Sequence, residues 1–281
     1  MEIFRRTVYG AYLQTCMLMR LPFQLVPSTT LNEKFSIQQT AVLGVNETPA
    51  MRYLVIGIGG HRSKKGADNI DLIETIQHET DDASCYRPLP FVLRPIDSDI
   101  TSTERDRYAL RRIENHGGID YAAYYLRRLD MTNVVPKMQQ TETNGGVSNT
   151  TDFIPNSDQL NPVPPPIVTG GVTTVTGDFL SAVARLQVNF DRFDATEILN
   201  AAVVIYGSED YAFISEMALC SGVDRSVTVT DPNGTSLTYN EVVAVQINTH
   251  ISTMQPMKSQ RDGFTATLDV GATEPLFNLT P

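Results

Sequence analysis

The run Ser226-Val-Thr-Val-Thr, Asp231-Pro-Asn-Gly234, Thr235-Ser-Leu-Thr-Tyr commits this chain to antiparallel sheet. Val227 and Val229 alternate with hydroxyl residues, Pro232 presets the turn, and Gly234 supplies the positive φ that closes it. Other strands read beside it. Tyr53-Leu-Val-Ile-Gly-Ile, within Met51 to Ile58, is almost continuously apolar and predicts a strand covered on both faces. Phe35 to Gly44 reads as its partner across a turn at Asn46-Glu47-Thr48-Pro49. Tyr121 to Leu129 reads as a tyrosine-rich strand, and Val243, Val245, Ile247 and Ile251 mark one face of another.

Two helices stand out. Thr101 and Glu104 have capping-box spacing, Tyr108, Ala109, Leu110 and Ile113 follow as an apolar stripe, and His116-Gly117-Gly118 supplies a stop. Asp194 and Glu197 precede the second, where Ile198, Ala202 and Ile205 lie beside Leu199, Val203 and Tyr206 and Gly207 ends the run. The fold class is therefore α+β and β-rich: antiparallel sheets, sandwich or barrel-like, with a few short helices and long extended arms or loops.

Pro22, Pro27 and a Ser-Thr-Thr turn break up residues 1–34, which read as an extended N-terminal arm. Residues 35–136 read as an α+β domain, with Gly59 to Gly66 as a Gly- and Lys-rich loop. Residues 137–171 are rich in Asn, Thr, Gln and Gly and contain Pro162-Val-Pro-Pro-Pro166; they read as a linker or an exposed loop. Residues 172–281 read as a β-rich domain.

With 281 residues, 41% of them hydrophobic, the chain can bury a proper core. Its formal charge of −10 argues against gripping nucleic acid through phosphates. Cys16, Cys85 and Cys220 are odd in number and far apart, so neither a zinc framework nor a disulfide scaffold is indicated and buried free thiols are expected. The N-terminus does not read as a signal peptide, and no apolar run is long enough to span a bilayer, so no membrane partner is expected. The sequons at Asn46, Asn149 and Asn278 then read as chance matches.

Candidate chemistry is sparse. Gly57-Ile-Gly-Gly-His-Arg follows an apolar strand, but Arg62 stands where a dinucleotide fingerprint needs its third glycine, and no G-K-[ST] makes it a P-loop; it reads as a structural turn. His78-Glu79-Thr-Asp81-Asp82 lacks the second histidine of a zincin and reads as a solvated acidic turn, with a structural cation as the sharper alternative. His61, His78, His116 and His250 form no evident triad, and Gly207-Ser208-Glu209 lacks the second glycine of a nucleophile elbow. His250, between Gln246 and Asn248 and the strand's end, reads as half-exposed. No catalytic, cofactor-binding or metal-binding residue is assigned, and no cofactor is expected. Arg111, Arg112, Arg127 and Arg128 are the clustered positive charge, read either as local partners of Glu104, Asp106, Glu114 and Asp130 or as a docking patch for an acidic neighbour.

Asn200 to Gly222, ending Phe213-Ile-Ser-Glu-Met-Ala-Leu-Cys-Ser-Gly, and Glu241-Val-Val-Ala-Val-Gln-Ile-Asn-Thr-His resemble segments of tailed-bacteriophage virion proteins. The likeness is greatest to the neck, or head-completion, proteins of contractile-tailed phages. It implies a non-enzymatic ring subunit between portal and tail, a homo-oligomer of about six or twelve copies around one axis. It also implies other virion proteins as partners, assembly in the host bacterial cytoplasm, and DNA passing through a lumen without specific binding, which the acidic balance suits. A tail-terminator, collar or baseplate part is the alternative within that class. A carbohydrate- or host-binding module would instead need Tyr121, Tyr124 and Tyr125 exposed together, and an enzyme would need His61, His78 or His250 to meet carboxylates in a pocket.

Overall fold

The structure, a computed structural model, describes residues 3–164, 172–230 and 236–280. They form two compact units, one of residues 1–129 and 189–264, the other of residues 130–188 and 265–281. The fold is α+β and β-rich, with antiparallel sheets and short helices.

The first unit is organised by strand β2 (Ala50–Gly57), whose residues from Tyr53 onward are all buried. Before it come β1 (Ile3–Arg6), helix α1 (Val8–Met19) and the one-turn helix α2 (Leu31–Lys34). After it come β3 (His61–Lys65), β4 (Asp71–Thr75), β5 (Pro88–Leu89), β6 (Val92–Pro95), the one-turn helix α3 (Ser102–Arg105), β7 (Tyr108–His116) and β8 (Ile119–Arg128). The second unit holds β9 (Lys137–Asn144), β10 (Val147–Asp152), the one-turn helix α4 (Ser157–Leu160) and most of β11 (Val172–Phe190). The chain returns to the first unit with α5 (Arg192–Tyr206), β12 (Phe213–Val223), β13 (Ser226–Thr230), β14 (Ser236–Asn240) and β15 (Val243–Pro256). It ends on β16 (Phe264–Thr280).

Among the described residues, the main sheet has the order β1-β15-β12-β2-β8-β6, with β5 also on β2 and β7 on β8, every pairing antiparallel. Tyr53, Val55, Leu93, Leu110, Leu126, Ala218, Cys220, Val245 and Ile247 fill the core under it. Helix α5 begins one step earlier than the Asp194/Glu197 reading: Asp191 is its N-cap, in a capping box with Asp194, and Gly207 closes it at φ 81°. Its buried face is Ala195, Ile198, Leu199, Ala201 and Ala202; of the stripe read from sequence, Ile198, Leu199 and Ala202 lie on it, Ile205 and Tyr206 are half-buried and Val203 is exposed. In the second unit, β10, β9, β11 and β16 form a four-stranded sheet.

Several expectations are corrected. The helix read from Thr101 to His116 is one turn long; the capping box of Thr101 and Glu104 forms, and then β7 pairs with β8 along its whole length. His116 faces Ile119 across Gly117 and Gly118, both at positive φ (62° and 84°), the geometry of a two-residue hairpin turn. The same device, Gly145-Gly146 at 60° and 83°, joins β9 to β10, so 137–152 is a hairpin rather than a linker. Phe35 to Gly44 forms no strand: Ser36 and Gln38 take left-handed φ, and Phe35 stacks on Tyr125 at 4.4 Å. Gly59 to Gly66 contains β3, which pairs with β4. Residues 1–34 are not an extended arm: they hold the helix α1, β1 pairs with β15, and α1 lies so close to that strand that a Cβ on Gly10 would sit 2.7 Å from the Asn248 carbonyl oxygen. Residues 35–136 and 172–281 are likewise not separate domains; β2, β8, β12 and β15 share one sheet. Strands β13 and β14 pair as read, and the turn at Asp231-Pro-Asn-Gly234 lies outside the described residues.

Candidate functional site

Glu216 sits in the middle of β12, between β2 and β15, with no side-chain exposure. A bare carboxylate there is prohibitively costly, so the surroundings supply donors. The backbone amides of Gly59, Tyr86 and Arg87 donate to it at 2.8, 2.9 and 2.9 Å, and His78 Nε2 lies 2.7 Å away. The glycine turn is the clearance for this carboxylate. A Cβ on Gly57 would stand 2.5 Å from Glu216 Oε1, one on Gly59 2.5 Å from the Tyr86 Cβ, and one on Gly60 2.3 Å from the Ser215 carbonyl oxygen. Burial pushes the Glu216 carboxyl up, but the hydrogen bonds from His78 and the three amides outweigh it and hold the group below its ordinary value.

His78 is held from four sides. Its Nδ1 lies 2.8 Å from Asp82 Oδ2, which also accepts from the Glu79 amide at 3.0 Å. Burial raises the Asp82 carboxyl, and the bonds from His78 and Glu79 bring it below its usual value. Because ionised carboxylates only accept, both contacts of the imidazole are satisfied when both nitrogens carry protons. Tyr86 stacks on one face of the ring at 4.0 Å and His250 on the other at 3.7 Å, each within 10° of parallel. His250 Nε2 donates to the Asp82 carbonyl oxygen at 3.1 Å; its Nδ1 is buried with no hydrogen-bond partner among the described residues. Burial, reinforced by the neighbouring His78, pushes His250 down to about 4.

The structure thus brings together His78, Asp82, Glu216 and His250, with His61 nearby. His61 packs edge-on against Phe213 at 4.7 Å and lines a cleft of about 470 Å³ with Arg62, Tyr86, Arg87, Tyr211 and Phe213. Burial, then the Arg87 charge, lowers His61. The His78 side chain itself has 0% exposure, and bonded at both ring nitrogens this imidazole pins its own segment. What it pins is the segment from Ile76 to Arg87, and through that segment α1: the Val8 amide donates to the Thr80 carbonyl oxygen at 2.8 Å and the Tyr9 hydroxyl to that of Asp81 at 2.7 Å. The half-exposed place read for His250 is corrected to buried; in the acidic turn read at His78 to Asp82, Glu79 to Asp81 are exposed as read, Asp82 is half-buried and His78 alone is buried. His116 lies elsewhere, 3.1 Å from Glu114. Among the described residues no group of three His, Cys, Asp or Glu is placed to hold a metal ion, and no helix is long and apolar enough to cross a membrane.

The four arginines do not form one free cationic surface. Arg111 pairs with Asp99 at 3.1 Å, Arg127 with the buried Asp194 at 2.8 Å and Arg128 with Asp224 at 2.8 Å. Arg112 lies over the Phe35 ring, 4.0 Å from Glu114. Neighbours on a strand point to opposite faces, which separates 111 from 112 and 127 from 128. Of the local partners read from sequence only Glu114 is used, because the others are reached through tertiary contacts from Asp99, Asp194 and Asp224. Tyr124 and Tyr125 are buried, so no exposed tyrosine platform exists around Tyr121. All three cysteines are free and buried.

Fold and node together define a β-rich α+β protein whose central sheet is pinned by a buried histidine–carboxylate pair. The chain belongs to DUF7208, a family of unknown function, whose profile matches residues 1–280. No curated protein matches it. No solved structure does either.

Proposed function

We propose that this protein is a non-enzymatic structural subunit of a tailed-bacteriophage virion, a ring protein of the neck or head–tail connector that works by protein–protein contact. One observation carries the reading. Helix α1 (VYGAYLQTCMLM) is apolar nearly all round, yet only Gly10, Leu13 and Cys16 of it are buried. A helix apolar on every side is one that surrounding structure covers, and contiguous exposed apolar surface marks an interaction site. Here Leu18 is 84% and Met19 62% exposed, beside exposed Val8, Met17 and Leu21.

Two further features support it. Of the two stretches that resemble phage neck proteins, Asn200 to Gly222 and Glu241 to His250, the strand portions lie side by side as β12 and β15 in the main sheet. The net charge of −10 suits a wall that DNA slides past without being held. Light scattering across a range of concentrations tests the reading, with a closed ring of about six or twelve copies as the expected result. A monodisperse monomer at every concentration argues against self-assembly.

A further inference from the structure

The C-terminal end of α1 opens onto a groove of about 710 Å³, lined by Met17, Leu21, Phe23 and Val45, by one cation, Arg20, and by one carboxylate, Glu47, which is paired with Arg225. Arg20 is exposed and its guanidinium has no acceptor among the described residues. The first 26 residues carry three arginines against one glutamate, a formal +2 in a chain of −10. The second unit has the opposite balance: seven acidic side chains against two basic ones, a formal −5. Within it, Asp152 to Val163 presents Ile154, Leu160 and Val163 at 81, 83 and 87% exposure. The α4 turn that presents Leu160 is fixed by the Asn156–Gln159 capping box, and the Asp158 carboxylate beside it is exposed with no cation partner among the described residues.

We propose that the α1 groove receives the Asp152–Val163 segment of a second copy of this chain, with Arg20 meeting Asp158 and the apolar side chains entering beside Met17 and Leu21. This rests on the self-assembly reading above and specifies its contact. Apolar residues that no part of their own unit covers occur on both surfaces, and the charges left over at each are of opposite sign. The contact is head-to-tail: the patch used on one copy differs from the patch used on the next. Such a contact closes into a ring when its rotation permits.

Charge exchange tests the contact in the full-length protein. Arg20→Asp suits the left-handed backbone there (φ 53°), a conformation aspartate tolerates. Light scattering is run on wild type, Arg20→Asp, Asp158→Arg and the double variant, with circular dichroism confirming that each folds. Each single reversal is expected to weaken association about tenfold, and the double variant to recover most of it. Leu160→Asp, which leaves the charge pair in place, should also weaken assembly. Single losses without recovery in the double variant would overturn the pairing. An assembling wild type whose variants all assemble equally would overturn this contact while leaving self-assembly standing. A wild type that stays monomeric at every concentration would overturn both.

Discussion

Replacing His250 by glutamine should change how the protein's stability responds to acid. His250 is stacked on His78 and faces the charges of Asp82 and Glu216; its other neighbours offer its Nδ1 no acceptor. Folding lowers its affinity for protons from the ordinary 6.5 to about 4. The unfolded chain therefore binds more protons than the native state between those values, and falling pH favours unfolding. At about 1.36 kcal/mol per unit, the loss is about 2 kcal/mol by pH 5 and about 3 kcal/mol by pH 4, after which it levels off. Glu216 and Asp82, both held below their ordinary values, lose stability only as pH falls through and below the carboxylate range. His250→Gln keeps a donor for the Asp82 carbonyl and leaves His78, Asp82 and Glu216 in place, so the difference between variant and wild type isolates one proton. Urea unfolding at fixed protein concentration, from pH 7 to pH 4, should show the wild type losing about 3 kcal/mol more than the variant. Parallel profiles would refute the reasoning.

Glu216→Leu should lower stability by about 3 kcal/mol or more in urea unfolding, because it strands His78 and three backbone amides in the interior. Gly57→Ala, whose Cβ meets both Glu216 Oε1 and the Arg87 carbonyl oxygen, should cost about 1–3 kcal/mol by the same measurement. Arg127→Glu faces the buried Asp194 with a like charge and should lower the melting temperature markedly; unchanged melting with impaired association would instead favour a docking role for that arginine.

Much of the strand pattern was legible because its signals are local. Val227 and Val229 alternate, Tyr53 to Ile58 is continuously apolar, and both appear as strands where expected. The mistake at Tyr108 to His116 has an instructive cause. Three successive buried residues, Tyr108, Ala109 and Leu110, fit a helix stripe and a doubly covered strand alike, and the capping box before them is real. The deciding feature was Gly117-Gly118, which stops a helix or turns a hairpin; the same pair at 145–146 was hidden by polar composition. The node was harder still, since Glu216 lies 138 positions from His78 and 157 from Gly59, and His250 lies 168 from Asp82. A signal existed: Glu216 is the one charge in an otherwise uncharged run from Phe213 to Val223, and a buried carboxylate must be answered by something. What answers it, three amides and a histidine at spacing i, i−138, no local pattern specifies.

The order of strands in the main sheet also bears on how the protein is made. Strand β2 lies between β12 and β8, but only Tyr53 and Leu54 pair with β8; most of its length pairs with β12, which leaves the ribosome about 160 residues later. At about 5–20 residues per second, this apolar strand waits roughly 8–30 s for its principal neighbour while residues 130–188 of the second unit are synthesised in between. During that interval Tyr53 to Gly57 is a hydrophobic edge open to any nascent copy, so productive folding in the cell depends on shielding it until the last third of the chain arrives.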